Sequence, residues 1–224
     1  MTDWRLKAVD PIAKFRNSRG LSDTMNDLPD DIFPESLSRL PLLRREELDA
    51  SGRKIFDAVF DPRHPSLAGL QGPSGIWLHS PHIGTLMQDL NRIIRFEVDL
   101  TPRLRELAIL VAARETDHQF EWTQHEPAAL KVGLTAEIID IVKHRKPVDG
   151  LPEKEALIIR FGRELLVFKK PSSTTFAHAV KLFGYRGTVN LAATMAAYVM
   201  TGIMLNAVDQ HLPPGKPPLL PLDD

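Results

Sequence analysis

Apolar residues along this chain recur at steps of three and four, the spacing of amphipathic helices, and no convincing run alternates with the period of a strand. From Arg44 to Phe60, the set Leu48, Ile55, Phe56 and Val59 predicts a helix closed by the Asp61-Pro62 step. Ser80 and Pro81 cap the next, with Ile83, Leu86, Leu90, Ile93 and Ile94 as its expected apolar face. Thr101 followed by Pro102 marks another start, because proline at the first helical position gives up an N–H that has no helical partner there. Leu104, Leu107, Ala108, Val111 and Ala112 form its buried side. Thr116 and Gln119 have capping-box spacing, so a further helix is expected from Thr116 or Asp117 to Gly133. Thr135 caps one through His144, and Glu153 opens one whose core face is Leu157, Ile158, Phe161, Leu165 and Leu166. Ser172 or Ser173 caps a helix to Phe183, and a turn over residues 184–187 leads to a last helix from Thr188 to about Val208. The reading is all-α: a helical bundle of about seven or eight helices.

That last helix is apolar nearly all round, which is also how a membrane span reads. Asn190, Thr194, Tyr198, Thr201 and Asn206 interrupt it and no basic cluster flanks it, so a buried central or subunit-interface helix is expected. Residues 1–40, with Pro11, Pro29, Pro34 and Pro41 at or near them, resist long helices and read as an irregular arm, wrapped on its own domain or on a neighbouring subunit. Residues 41–212 then form one all-helical domain, and residues 213–224 a proline-rich tail.

Composition narrows the function. The 224 residues are 43% hydrophobic, enough for one substantial core. With 28 Lys and Arg against 29 Asp and Glu, no electrostatic footprint for nucleic acid or an anionic membrane exists. The N-terminus lacks the apolar stretch and cleavage site of a secretory signal, so a cytoplasmic location is expected. No cysteine is present, which removes disulfides and all thiol chemistry.

Candidate chemistry is concentrated between Leu100 and Leu134. At about 100° per residue, His118, Glu121 and His125 share one narrow helical face with Trp122 at its flank. Glu106 lies on the preceding helix. Such a set serves equally as a structural network tying two helices together or as a proton-transfer site beside a desolvated wall.

This region resembles the carboxymuconolactone decarboxylase family, which includes the alkylhydroperoxidase-D-like proteins. The resemblance is carried by the RxRE run Arg103 to Glu106, the helix ending in His125 and Glu126, the stretch from Trp77 to Pro81, and the turn from Gly133 to Glu137. It implies an alkylhydroperoxidase-D-like bundle that self-associates as a dimer, trimer or hexamer. The family's peroxidases carry a Glu, a Cys-x-x-Cys pair and a His. Here Glu106 and His125 hold the first and last places, while His118 and Glu121 stand where the cysteines belong. Thiol peroxidase chemistry is therefore closed to this chain.

The resemblance and the residues together predict a lyase-like enzyme that works without a cofactor by acid–base catalysis: decarboxylation, or a related lyase or isomerase step, on a small organic acid or lactone. His125 is the expected proton donor, Glu106 orients it, and Glu121 or His118 handles a second proton. Arg103 or Arg105 is expected to hold a substrate carboxylate, with Trp122 lining the pocket. Two alternatives remain open: a divalent metal ion held by Glu106, His118, Glu121 and His125, or an oligomeric ligand-binding protein without catalysis.

Overall fold

The computed structural model describes residues 28–62 and 66–221; most of the expected N-terminal arm, residues 1–27, lies outside the described residues. Among the described residues eight α-helices follow one another: α1 Ala50–Val59, α2 Pro73–Trp77, α3 Pro81–Phe96, α4 Pro102–Glu115, α5 Gln119–Lys131, α6 Ala136–Lys143, α7 Glu153–Val167 and α8 Ser173–Ala207, with a short 3-10 turn at Arg45–Glu47 before them. The same residues contain no strand, only an isolated bridge between Phe33 and Ser38.

Helix α4 is the hub. It packs against α5, α6, α7 and α8, and Leu107, Ala108, Ile109, Leu110 and Val111 are all fully buried. The periodicity predicts one apolar side, yet α4 is enclosed all round, which its alanines permit by letting neighbours approach closely. Its start is the expected one: the Thr101 hydroxyl accepts from the Leu104 N–H, and Pro102 occupies the first turn. Each buried Leu or Ile here contributes about 2 kcal/mol by leaving water.

Two expectations need correcting. Of the face assigned to α3, Ile94 is buried as expected and Leu90 half-buried, but Ile83, Leu86 and Ile93 are exposed, and Gly84 and Met87 are buried in their stead. The cause is Gly84, which presses α3 onto the end of α2; a Cβ there would lie 2.8 Å from the Trp77 carbonyl oxygen. The start of α5 also differs. The Thr116 hydroxyl bonds back to the Ala112 carbonyl at 2.7 Å, so the expected capping box does not form, and His118 is the N-cap.

The final helix bends at Gly184, whose φ of 69° is left-handed. Ser172 caps its start, as the sequence predicts. Ser173–Ala207 is long and apolar enough to cross a membrane by length and composition, but half of its most apolar stretch is buried inside the bundle. One side stays open, with Tyr185, Val189, Met200 and Ile203 exposed. The tail beyond it is irregular but docked. The Gln119 side chain receives the Leu220 N–H at 2.8 Å and donates to the Leu220 carbonyl at 2.7 Å, and Leu220 itself is buried. Segment 28–40 packs on the end of α8, with Arg39 N–H donating to the Val208 carbonyl and His211 N–H to the Leu37 carbonyl.

Candidate active site

The α4–α5 pair brings Glu106 and His125 together. His125 Nδ1 lies 2.8 Å from Glu106 Oε2, and His125 Nε2 lies 3.4 Å from Glu121 Oε2, one turn back on the same helix. All three side chains are buried. Both ring nitrogens thus face carboxylate oxygens, an arrangement that only the doubly protonated ring satisfies. Burial by itself would push the imidazole down, but hydrogen bonds and charge from Glu106 and Glu121 outweigh it and raise the pKa to about 9. Burial likewise opposes ionisation of Glu106, and His125, Arg105 and Arg95 overcome it, holding the carboxyl below its ordinary value. The site at neutral pH is an imidazolium clasped by acids.

His118 does not join them. Its Nδ1 accepts the Glu121 N–H at 3.3 Å, so its proton sits on Nε2, which donates to the Gly202 carbonyl at 2.7 Å. With both nitrogens committed to backbone, the ring caps α5 and ties it to α8. The expected proton-transfer role for His118 therefore has no free nitrogen to act through. The expected metal set fails for the same reason, and among the described residues no three His, Asp or Glu side chains converge as an ion site.

The two expected substrate contacts are also engaged elsewhere. Arg103 pairs with the buried Glu155 of α7 and donates through Nε to the Gly133 carbonyl at 3.0 Å, bracing α4 against its neighbours. Trp122 is fully buried, its indole N–H donating to Glu126, while the Lys143 ammonium bonds to Glu126 at 2.8 Å and sits over the ring. It is core, not pocket wall.

Three residues absent from the expected catalytic set surround the triad. Tyr198 of α8 packs edge-on against His125, ring centroids 5.0 Å apart at 89°. Arg95, at the end of α3, acts electrostatically on both Glu106 and the Tyr198 phenol. Arg105, for which the sequence suggests substrate binding, donates through Nη1 to the Arg95 carbonyl at 2.6 Å. Burial, first of all, raises the Tyr198 phenol to about 12, with Glu106 and Glu121 adding to it against Arg95, so the hydroxyl keeps its proton. The signal in the sequence was slight: Tyr198 is one of only two tyrosines, set in the most apolar helix, where a phenol needs a polar neighbour. A cavity of about 410 Å³ lies on a different face of α5, against Phe120, Gln210, His211 and Lys216, and includes none of these side chains.

Residues 81–159, which carry Glu106, Glu121 and His125, match the model of the carboxymuconolactone decarboxylase family. The segment that bears the site is thus similar to that family, and it lacks cysteine. Among solved structures, the chain is similar to an alkylhydroperoxidase AhpD core from Ralstonia eutropha JMP134, described as an uncharacterized peroxidase-related protein. The TM-score is 0.63 at 14% identity, over 81% of this chain and 98% of that one, which establishes a shared fold. No curated protein matches the chain in sequence.

Proposed function

We propose that this chain is a cofactor-independent acid–base enzyme acting on a small organic acid or lactone, in a decarboxylation, lyase or isomerase step. One observation carries the reading: a buried imidazole lies 2.8 Å from one carboxylate and 3.4 Å from a second. A structural tie between two helices needs one such pairing. Two acids on one ring keep it charged at neutral pH and leave a carboxylate beside the nitrogen that gives up its proton.

The Nε2 proton of His125 passes to the developing carbanion or enolate carbon of the substrate. The ring becomes neutral, keeping its Nδ1 proton toward Glu106, and Nε2 is recharged from solvent or from a protonated Glu121. Run in reverse, the same groups abstract a proton next to a carbonyl. Glu106 sets the ring's orientation and basicity throughout. Absence of cysteine removes thiol chemistry from this site.

Exchange of solvent deuterium into a panel of lactone acids and oxo acids, followed by NMR, tests this across many candidate substrates at once. The wild-type chain is expected to label at least one compound at the carbon beside a carbonyl. His125→Gln and Glu106→Gln are expected to lower that rate about 100-fold or more, the size of a general acid–base contribution. Equal rates in wild type and His125→Gln would remove the triad from catalysis.

A further inference from the structure

The cavity of about 410 Å³ beside α5 is well above the roughly 150 Å³ that admits a single benzene ring, and of the size that small-molecule sites have. Leu28, Leu37, Phe120, Leu212, Pro214 and Pro218 give it an apolar wall. Of its lining, only Gln119 and Phe120 belong to the segment that matches the family model; the rest comes from residues 28–37 and 209–218, on either side of that segment. The cavity is therefore built largely from what this chain adds around the matched segment, and it includes none of Glu106, Glu121 and His125.

One lining group is a cation with donors to spare. The Lys216 ammonium carries three N–H groups and donates to Gln124 Oε1 at 2.7 Å, which fixes it beside α5 and leaves the other donors unused. Among the described residues no carboxylate pairs with it. Asp209, the acid in the lining, has its charge met elsewhere: it pairs with Arg39 at 3.3 Å and lies 3.6 Å from His211 Nε2. Gln119 is committed to Leu220, and Gln210 donates to the Ser36 carbonyl at 2.9 Å. The uncompensated polar group of the cavity is thus positive, and because Lys216 is exposed it stands at the mouth, with the apolar wall behind it.

We infer that this cavity is a second binding site, for a monoanionic amphiphile: the Lys216 ammonium takes a carboxylate at the mouth, and an apolar body about the size of two fused rings lies against Phe120 and the leucines. The body supplies most of the affinity by leaving water. The carboxylate supplies selectivity, since an exposed ion pair contributes little affinity of its own. A dianion finds a single cation there, and a cationic ligand meets an acid that is already paired. Pro214, Lys216 and Pro218 belong to the tail and Phe120 to α5, so a bound ligand bridges the two and fastens the tail to that helix. The site is separate from the acid–base cluster and stands whether or not that cluster is catalytic.

The test titrates the full chain, labelled with ¹³C at its leucine methyls, with 2-naphthoate, with naphthalene-2-carboxamide as its uncharged counterpart and with acetate as the acid without an apolar body. Naphthoate is expected to shift the methyls of Leu28, Leu37 and Leu212 saturably, the carboxamide to bind at the same place about fivefold more weakly, and acetate to leave them unmoved. Lys216→Met removes the charge and is expected to abolish the preference for carboxylate over carboxamide, while the carboxamide, which does not use that charge, binds as before. Lys131→Met, at an exposed cation elsewhere on α5, should match wild type. Leu212→Trp fills the cavity and is expected to block both naphthalene probes. Absence of saturable shifts in folded wild-type protein overturns the assignment, as do naphthoate shifts centred on Leu86 of the open α3 face. A carboxylate preference that survives in Lys216→Met overturns it as well.

Discussion

His125 owes its charge to two neighbours, and that fixes how the protein responds to pH. Its pKa is raised from 6.5 to about 9, so the native state holds a proton that the unfolded chain releases over that interval. The stabilisation is complete below pH 6.5, declines as pH rises, and is gone above about 9. Glu106 works in the opposite direction: lowered from 4.5, it stabilises above that pH and loses its contribution as acid protonates it. This cluster therefore favours the fold most between about pH 4.5 and 6.5. Melting temperature followed from pH 6 to 10 should fall in the wild type, and His125→Gln should flatten the decline; an equally steep fall in the variant would place the titrating group elsewhere. The ingredients of this behaviour were legible in the chain, since helical spacing alone aligns Glu121 with His125. The help that Arg95 gives in keeping Glu106 ionised was not, because the α3 periodicity gives no sign that its C-terminal end turns toward α8.

At the scale of elements, the joint between α5 and α8 shows why spacing can identify a residue and mistake its task. His118 shares a helical face with His125 in projection, but it stands at the N-cap, where the side chain bends back to the helix's own N–H groups. Its other nitrogen reaches α8 only because position 202 is glycine: a Cβ there would lie 2.5 Å from the imidazole Cδ2. Sequence periodicity does not report which backbone carbonyl lies opposite a cap, so this role emerges only from the packing. Gly202→Ala is expected to cost about 1–3 kcal/mol through overpacking, lowering the melting temperature by roughly 5 °C. A melting temperature unchanged in that variant would mean that the ring moves aside freely. The same limit applies to α3, where Gly84, rather than the larger apolar residues around it, decides which face turns inward.

Across the whole molecule, the apolar surface exceeds what one chain covers. Ile83 and Leu86 on α3, with Val189 and Ile203 on α8, are each more than half exposed, and single-chain packing gives no reason for such a set. Self-association through these faces is the expected outcome. Light scattering should return a multiple of 25.1 kDa, and Leu86→Asp together with Val189→Asp should reduce it; a single-chain mass for the wild type would show that the faces stay uncovered. The all-helical class was readable from the chain because its segments carry the three-and-four period. Which apolar stripes face inward depends on where glycines permit contact, and that is a property of the assembled bundle.

The docked tail bears on how the chain can be shortened or fused. Leu219 donates to the Thr123 hydroxyl at 3.2 Å, Lys216 reaches the Gln124 side chain at 2.7 Å, and Leu220 is clasped by Gln119, all on the helix that presents His125. Trimming at the proline run would thus not remove a loose end. It would unfasten a strap from the scaffold of the reactive ring, and a handle attached there would pull on the same buckle.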